Sequence, residues 1–527
     1  MAAPNSWDLA LELELNVEET SRAVDECDFL RTPSTASKDD SSSTSRPDAR
    51  KRPSTWWAAL LNAAGEPLGF GECSSQTPSI HVVSACTGCA AEAWALKALG
   101  INFTMLAASD TNKNYRAFVL QNFGRKCQHM YDSMEMQMAA ASDHDSSPCL
   151  KCRDMGVECI HEAASQVPVH LMVVGSPCDP FSVQRAKRFH EGQVKEHRDF
   201  YVTMKSLVSM FQVYQPQVAI VEQVKGFLLP LCVGSNETPF HRPAATSCIS
   251  QFGFGRFGCA VCSVPVPVGV SLCECECFLV FFRKDKFSRD HVSGYKQTVQ
   301  ALLDWVAANH EELKSSQKGK KVQCVQELCQ KAVLPRLCPG AFPQPAAGQG
   351  AFPPAAWNNW KKWQVQAYQL RREMKAGCCK PWTDIPGLKY AGIVRSERID
   401  EVLNLAVLGF LGARRVLKLQ QQGPAAVQEA CYDLYTDVSQ NPIRKSFTSP
   451  KTLASPCFTT STALYSHARD RIILPIEAML MQGHGLDMKI PDSMPRSALR
   501  DLAGEGICLP CIATLIHALQ HTDSFAV

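Results

Sequence analysis

A cysteine stands between two prolines in Gly175-Ser-Pro-Cys-Asp-Pro-Phe-Ser182. A thiol becomes a strong nucleophile when its proton is taken or its pKa is lowered. Flanking prolines restrict the backbone and hold such a thiol still. A lone Pro-Cys pair is more often a packing cysteine, so the surroundings of Cys178 must decide. It follows the apolar run "VHLMVVG", while Asp110 closes "FTMLAASD" and Glu222 closes "VAIVE". If these runs are parallel strands, all three residues lie just past strand ends, where doubly wound α/β folds bind their ligands.

A second group of residues could hold a metal. Cys149, Cys152, Cys159 and His161 have the spacing C-x2-C-x6-C-x-H. Four such ligands can surround zinc tetrahedrally, and reduced surface thiols are the alternative. The chain has 25 cysteines, which in a reducing compartment are expected as thiols or metal ligands rather than disulfides. Cys273, Cys275 and Cys277 alternate and are expected on one face of a strand. The pairs in "CTGC", "CAVC" and "CLPC" suit buried positions.

The elements that must position these residues are legible from periodicity. "IHVVSA", "FTMLAASD", "VHLMVVG", "VAIV", "CAVCSV" and "CFLVFF" read as buried strands. "AAEAWALKAL", "NYRAFVLQNF" and "FYVTMKSLVSMFQVY" read as helices. This alternation predicts an α/β class, a doubly wound Rossmann-like domain spanning residues 78–290, with a cysteine-rich insertion at 149–161. Order returns over 456–527, where "RDRIILPIEAMLMQG" reads as strand then helix and "GEGICLPCIATLIHAL" as a glycine turn before an apolar helix.

Residues 1–55 are rich in Ser, Pro and charge and are expected to form a disordered tail. The acidic start lacks the pattern of a signal peptide, and no apolar run is long enough to span a bilayer. A soluble, intracellular protein without a membrane partner is expected, and "RPDARKRP" would suit nuclear import. Residues 291–450 carry 21 Lys and Arg against 12 Asp and Glu, a net of +9. That leaves −6 for the rest of a chain whose formal net charge is +3. A basic segment on an acidic body fits a polyanionic partner, though a solvated basic face accounts for it equally well. Within it, Trp357, Trp360 and Trp363 share one side of a helix, interleaved with Lys361, Lys362, Arg371 and Arg372. Cations there could contact phosphates and rings could stack on bases, but tryptophans at this spacing more often pack inward.

The ordered set of motifs resembles the cytosine-5 DNA methyltransferase family. "SPCDPFS" resembles its catalytic Pro-Cys loop, and "VAIVEQVKGF" is similar to its Glu-Asn-Val motif. "VVSACTGCAAEAWALKALG" and "ASDTNKNYRAFVLQNF" look like its first two motifs, which bind the cofactor. "RDRIILPIEAMLMQG" and "GEGICLPCIATLI" resemble its ninth and tenth. They occur in the family's order across about residues 80–520.

The resemblance implies S-adenosyl-L-methionine as cofactor and DNA as partner. The Cys178 thiolate would add to carbon 6 of a flipped cytosine, and Glu222 would hold or protonate N3. Gly88 would turn the chain near the methionine part of the cofactor. Asp110 would accept the ribose hydroxyls, and Asp132 would sit by the adenine amino group. Residues 291–450 would be the target-recognition segment. One branch of the family acts on transfer RNA, so RNA is the alternative partner.

Four departures stand out. Ala90 and Ala91 replace usual glycines, Gln223 replaces the usual Asn, and Glu505 occupies a place where Asn is common. Where the family has a Gln-x-Arg-x-Arg strand, this chain reads Leu272-x-Glu274-x-Glu276. That charge reversal opens a third reading, a nucleic-acid-binding regulator that kept the fold and lost catalysis. Arg283 and Lys284 are the nearby cations that would compensate.

Overall fold

A computed structural model describes residues 55–65, 67–68, 79–142, 149–157, 159, 167–182, 185, 189–235, 238–239, 257–262, 276–316, 361–442 and 458–525. Seven strands form the central sheet: β1 (Ile80–Ala85), β2 (Phe103–Ser109), β3 (Cys127–Tyr131), β4 (Leu171–Val174), β5 (Val218–Val224), β6 (Phe257–Cys262) and β7 (Glu276–Arg283). Their order across the sheet is β3-β2-β1-β4-β5-β7-β6. The pairs β1–β2, β2–β3, β1–β4 and β4–β5 are parallel, and β7 runs antiparallel to both β5 and β6. The chain therefore winds outward from β1 to the β3 edge and then returns to β4 on the other side of β1. The crevice outside the strand ends at such a reversal is where doubly wound sheets bind ligands. The doubly wound α/β class expected from periodicity is the class observed.

Alternation explains why these strands are apolar throughout. Val82, Leu171, Val173, Val218, Ile220, Phe278 and Val280 face one core. Their neighbours Val83, Met172, Val174, Ala219, Val221 and Leu279 face another. A strand covered on both faces needs apolar residues at every position.

The first core is closed by α1 (Trp56–Gly65), α2 (Ala91–Ala98) and α3 (Lys113–Phe123), together with a later helix taken up below. The second face carries α4 (Met134–Ser142) and, after α5 (Leu150–Met155), α6 (Arg198–Tyr201), a π-turn (Val202–Ser206) and α7 (Leu207–Tyr214). Helix α8 (Arg289–Ser316) packs its Tyr295, Val299 and Leu302 into the first core, although it begins at the boundary where the basic segment starts.

A third core lies around α9 (Lys362–Glu373), α10 (Glu397–Leu411), α11 (Ala413–Gln422) and α12 (Pro424–Ala430), with a small sheet of β8 (Tyr435–Asp437), β9 (Leu464–Ser466) and β10 (Arg471–Ile472). The chain then returns to the first core through α13 (Pro475–Met481), α14 (Arg496–Glu505) and α15 (Leu509–His521). Two ties secure that return. Glu477 of α13 accepts both nitrogens of Arg471 at 2.8 and 2.9 Å and also pairs with Arg469. The Trp57 indole of α1 donates to the Gly483 carbonyl at 2.7 Å. Among the described residues no single helix is long and apolar enough to cross a membrane.

Candidate active site

Cys178 sits four residues past the end of β4, in a loop fixed from three sides. The buried Gln223, in β5, donates its amide to the Ser176 carbonyl at 2.7 Å and to the Ser176 hydroxyl at 2.9 Å. Thr203, in the π-turn, donates its hydroxyl to the Pro177 carbonyl at 3.0 Å. On the far side, the Phe181 and Ser182 N–H groups both donate to the Cys178 carbonyl. Phe181 is fully buried and meets Phe227 edge-on at 4.8 Å. A loop pinned at both shoulders presents its half-buried thiol in a defined place. Sequence reasoning registered Gln223 only as a mild departure and missed Thr203, because neither hydrogen bond is local in sequence.

Glu222 precedes Gln223 on β5, the strand next to β4. Side chains alternate along a strand, so Gln223, which faces the loop, and Glu222 take opposite faces of the sheet. Its charge reaches Cys178. Burial, then Glu222, Asp179 and Glu505, push the Cys178 thiol up to about 12, against a backbone hydrogen bond that lowers it. In the free protein this thiol is therefore protonated at neutral pH.

The turn after β1 forms the other half of the site. Gly88 has φ +51°, and a Cβ placed on it would meet no atom within 4 Å. Its N–H donates to Asp110 Oδ2 at 2.8 Å, while Asp110 Oδ1 accepts from the Asn112 N–H at 2.8 Å. Asp110 thus ties the ends of β1 and β2 together. Each carboxylate oxygen retains accepting capacity for a further donor. Burial raises the Asp110 pKa, opposed by those two N–H donors and by Arg116.

Cys86 and Ala90 in the same turn also have positive φ, 50° and 57°. That is the conformation glycine adopts without strain, which gives a backbone reason for glycine near Ala90 in the pattern described above. Asp132 is exposed just beyond β3. Glu505 ends α14 and hydrogen-bonds Tyr115 of α3; burial raises its pKa, and Asp110, Asp501 and Asp179 add to the rise. The chain after α14 closes on both halves. A Cβ on Gly506 would lie 3.1 Å from Cys89 Sγ, and one on Gly175 3.7 Å from Ile507.

The strand with the reversed charges is only partly described. Glu274, with Leu272, Cys273 and Cys275, lies outside the described residues, and Glu276 is described by its backbone, opposite Val224. Cys277 is buried and donates to the Val224 carbonyl. Arg283 is not placed to compensate for Glu276. It pairs with Phe257 at the other end of β7, where it donates to the Gln215 carbonyl and bridges Asp285. Lys284 follows it, past the same end of β7. An antiparallel strand of eight residues puts its first and last side chains about 24 Å apart.

Among the described residues the cysteine cluster includes a histidine that the spacing did not mark. His161 lies outside the described residues. His129, on β3, stands with Cys149, Cys152 and Cys159, one donor atom of each within 4.8 Å of the others.

In the basic segment, Trp357 and Trp360 also lie outside the described residues, and Trp363 packs against the third core. Arg371 is not a free cation. It forms a two-pronged ion pair with Glu401 and donates to the Gly377 and Cys379 carbonyls. Lys361 and Arg372 are exposed, and so are Arg414, Arg415 and Lys418 on α11, which no motif in the sequence marks.

No protein-family model and no curated protein matches the chain. Among solved structures, the Entamoeba histolytica methyltransferase EhMeth is similar at 9% identity and a TM-score of 0.37, covering 84% of this chain and 98% of that one. Spodoptera frugiperda DNMT2 is similar at 12% identity and a TM-score of 0.34, covering 84% and 99%. The S. pombe Dnmt2 methyltransferase is similar at 12% identity and a TM-score of 0.35, covering 84% and 98%.

Proposed function

We propose that this protein transfers a methyl group from S-adenosyl-L-methionine to carbon 5 of cytosine in DNA, through a covalent adduct on Cys178. The observation that carries this reading is one site at the switch point of the sheet. There a rigidly held thiol, Cys178 in the loop after β4, and a carboxylate, Glu222 two residues before the end of β5, lie beside the open Gly88–Asp110 turn that follows β1 and β2.

The turn suits the cofactor. Gly88 leaves room for close approach, Asp110 offers acceptor positions for ribose hydroxyls, and Asp132 lies at the end of the next strand for the adenine. When bound, the cofactor supplies an electrophilic methyl group. Cys178 adds to carbon 6 of the base, which makes carbon 5 enamine-like and able to take that methyl. Loss of the carbon 5 proton then expels the thiolate and restores the ring.

Glu222 acts on both partners. Its charge is the foremost of those opposing the Cys178 thiolate. A proton taken onto Glu222, and shared there with N3 of the base, removes that opposition as the thiolate forms. Nucleophile and acid are thereby coupled: the charge that keeps the thiol dormant in the free protein is neutralised by the same proton that Glu222 shares with N3 of the base. Gln223 and Thr203 are positioning residues that hold the Pro-Cys loop. The exposed Arg372, Arg414, Arg415 and Lys418 suit phosphate contacts on the third core.

A second reading is a regulator that binds nucleic acid without catalysis. It is favoured by the carboxylates of Glu222, Asp179 and Glu505 around the thiol. Incubation with cofactor and DNA or RNA carrying 5-fluorocytosine separates these readings. A covalent complex on DNA, absent in Cys178→Ala, supports the proposal. Trapping on RNA alone transfers the chemistry to that substrate. Cofactor binding without trapping on either polymer leaves the regulator.

A further inference from the structure

We propose that His129, Cys149, Cys152 and Cys159 bind one zinc ion, which staples the insertion after α4 onto the edge strand of the sheet. The fourth ligand is then His129, a histidine 20 residues before the first cysteine, and not His161, two residues after the last.

The distances fit that ion. With Zn–S of about 2.3 Å and Zn–N of about 2.0–2.1 Å, a tetrahedral centre sets a sulfur and a nitrogen ligand about 3.6 Å apart. His129 Nδ1 lies 3.5 Å from Cys159 Sγ and 3.9 Å from Cys152 Sγ. The backbone is arranged for thiolates as well. The Cys152 N–H points at Cys149 Sγ at 3.4 Å, and the Cys149 N–H points at Cys159 Sγ at 3.4 Å. N–H donors aimed at sulfur stabilise the charged form that a metal requires. Three thiolates and a neutral imidazole leave a zinc site one negative charge in excess. Lys151, between the two helical cysteines, anchors its ammonium on the Gly124 and Cys127 carbonyls beside it. Three soft sulfurs with one imidazole suit zinc better than the hard cations that oxygen ligands select.

Packing supplies an independent reason. Helix α5 is six residues long, and Met155 and Val157 at its end are 56% and 50% exposed. The apolar cluster beneath it holds only Ala107, Tyr131 and Ala140 besides the cysteines. So short a helix with so little apolar anchorage needs another attachment. β3 is the edge strand of the sheet, and a metal held between it and α5 would also cover that edge.

The full-length protein tests this directly. Metal analysis after purification in zinc-containing buffer should find about one zinc per chain, and cobalt exchanged into the site should show the visible bands of tetrahedral sulfur ligation. His129→Ala should lose most of the bound zinc, and His161→Ala should keep it. A wild-type experiment covers the case in which His129→Ala does not fold. An imidazole coordinated through Nδ1 carries its proton on Nε2 and resists diethylpyrocarbonate. His129 should therefore be protected in the zinc-loaded protein and modified after chelation. Zinc-free protein that takes up neither zinc nor cobalt on reconstitution would overturn the site. Protection of His161 in place of His129 would overturn the ligand assignment, and iron with sulfide in the analysis would overturn the metal.

Discussion

The clearest consequence of the active-site electrostatics is a slow thiol. An ordinary cysteine titrates near 9.0, whereas burial, Glu222, Asp179 and Glu505 push Cys178 up to about 12. Three pKa units lower the thiolate population at pH 8 by about a thousandfold. Part of that loss is returned, because a more basic thiolate is a better nucleophile. A Brønsted slope of about 0.4–0.5 over three units restores roughly 20-fold. Alkylation of Cys178 by iodoacetamide should then be about 40–50-fold slower than that of an ordinary thiol at pH 8.

The rate is read by quenching short pulses and quantifying the labelled peptides by mass spectrometry, with the exposed Cys378 as internal standard. Poor access alone would also slow the reaction, but pH dependence tells the two apart. A raised pKa makes the Cys178 rate climb about tenfold per pH unit to beyond pH 10. A sterically hindered but ordinary thiol would level off near pH 9. Glu222→Gln removes the foremost of the charges on the thiol and should move the levelling-off to lower pH, with faster labelling at pH 8. A wild-type Cys178 that labels as fast as Cys378 at pH 7, or a profile that Glu222→Gln leaves unmoved, would refute the reasoning.

Glu92 is fully buried on α2 and burial pushes its carboxyl up to about 7, against hydrogen bonds from Ser84 and the backbone that lower it. A folded-state pKa above the unfolded one gives stability that is whole below about pH 4.5 and is lost as pH rises through 7. The loss is about 3 kcal/mol, and Glu92→Gln should remove that slope from denaturant midpoints measured between pH 5 and 8; an unchanged slope would assign it to other groups. Gln223→Ala strips the buried Ser176 carbonyl and hydroxyl of their donor and should cost about 1–3 kcal/mol in chemical denaturation. In the same variant 5-fluorocytosine trapping should slow while cofactor affinity holds, whereas parallel loss of both would make Gln223 merely structural. Arg414→Glu with Arg415→Glu should weaken DNA binding and flatten its salt dependence, by about 0.9 in logarithmic slope for each phosphate that is no longer neutralised. Unchanged binding would move the nucleic-acid surface away from α11.

Much of the candidate site was legible because strand ends are local events. "FTMLAASD" and "VHLMVVG" mark their own termini by where apolar residues stop, so Asp110 and Cys178 could be placed just past strand ends before any packing was known, whereas β5 runs two residues beyond Glu222, the residue at which "VAIVE" stops. The helices that follow were equally plain from their apolar spacing, and the structure adds how they start, with Asn112 capping α3 and Pro510 opening α15. What surrounds those ends was not legible. Glu505 lies more than 300 residues from Cys178 in the chain, yet its charge acts on the thiol because the chain after α14 folds back over the β1 turn. Arg283 looked close to Glu276 in sequence but stands at the opposite end of β7, because an extended strand carries the chain about 3.4 Å per residue.

The sequence by itself determined the class of fold and the order of the elements, because periodicity and the residues that end strands are properties of neighbouring positions. Only the tertiary structure decided which groups act together. It drew His129 to three cysteines in a later segment, locked Arg371 into Glu401, and crowded carboxylates around Cys178. Coordination and charge act through space, and distances through space are set by which strand lies at the edge of the sheet and which lies at its centre.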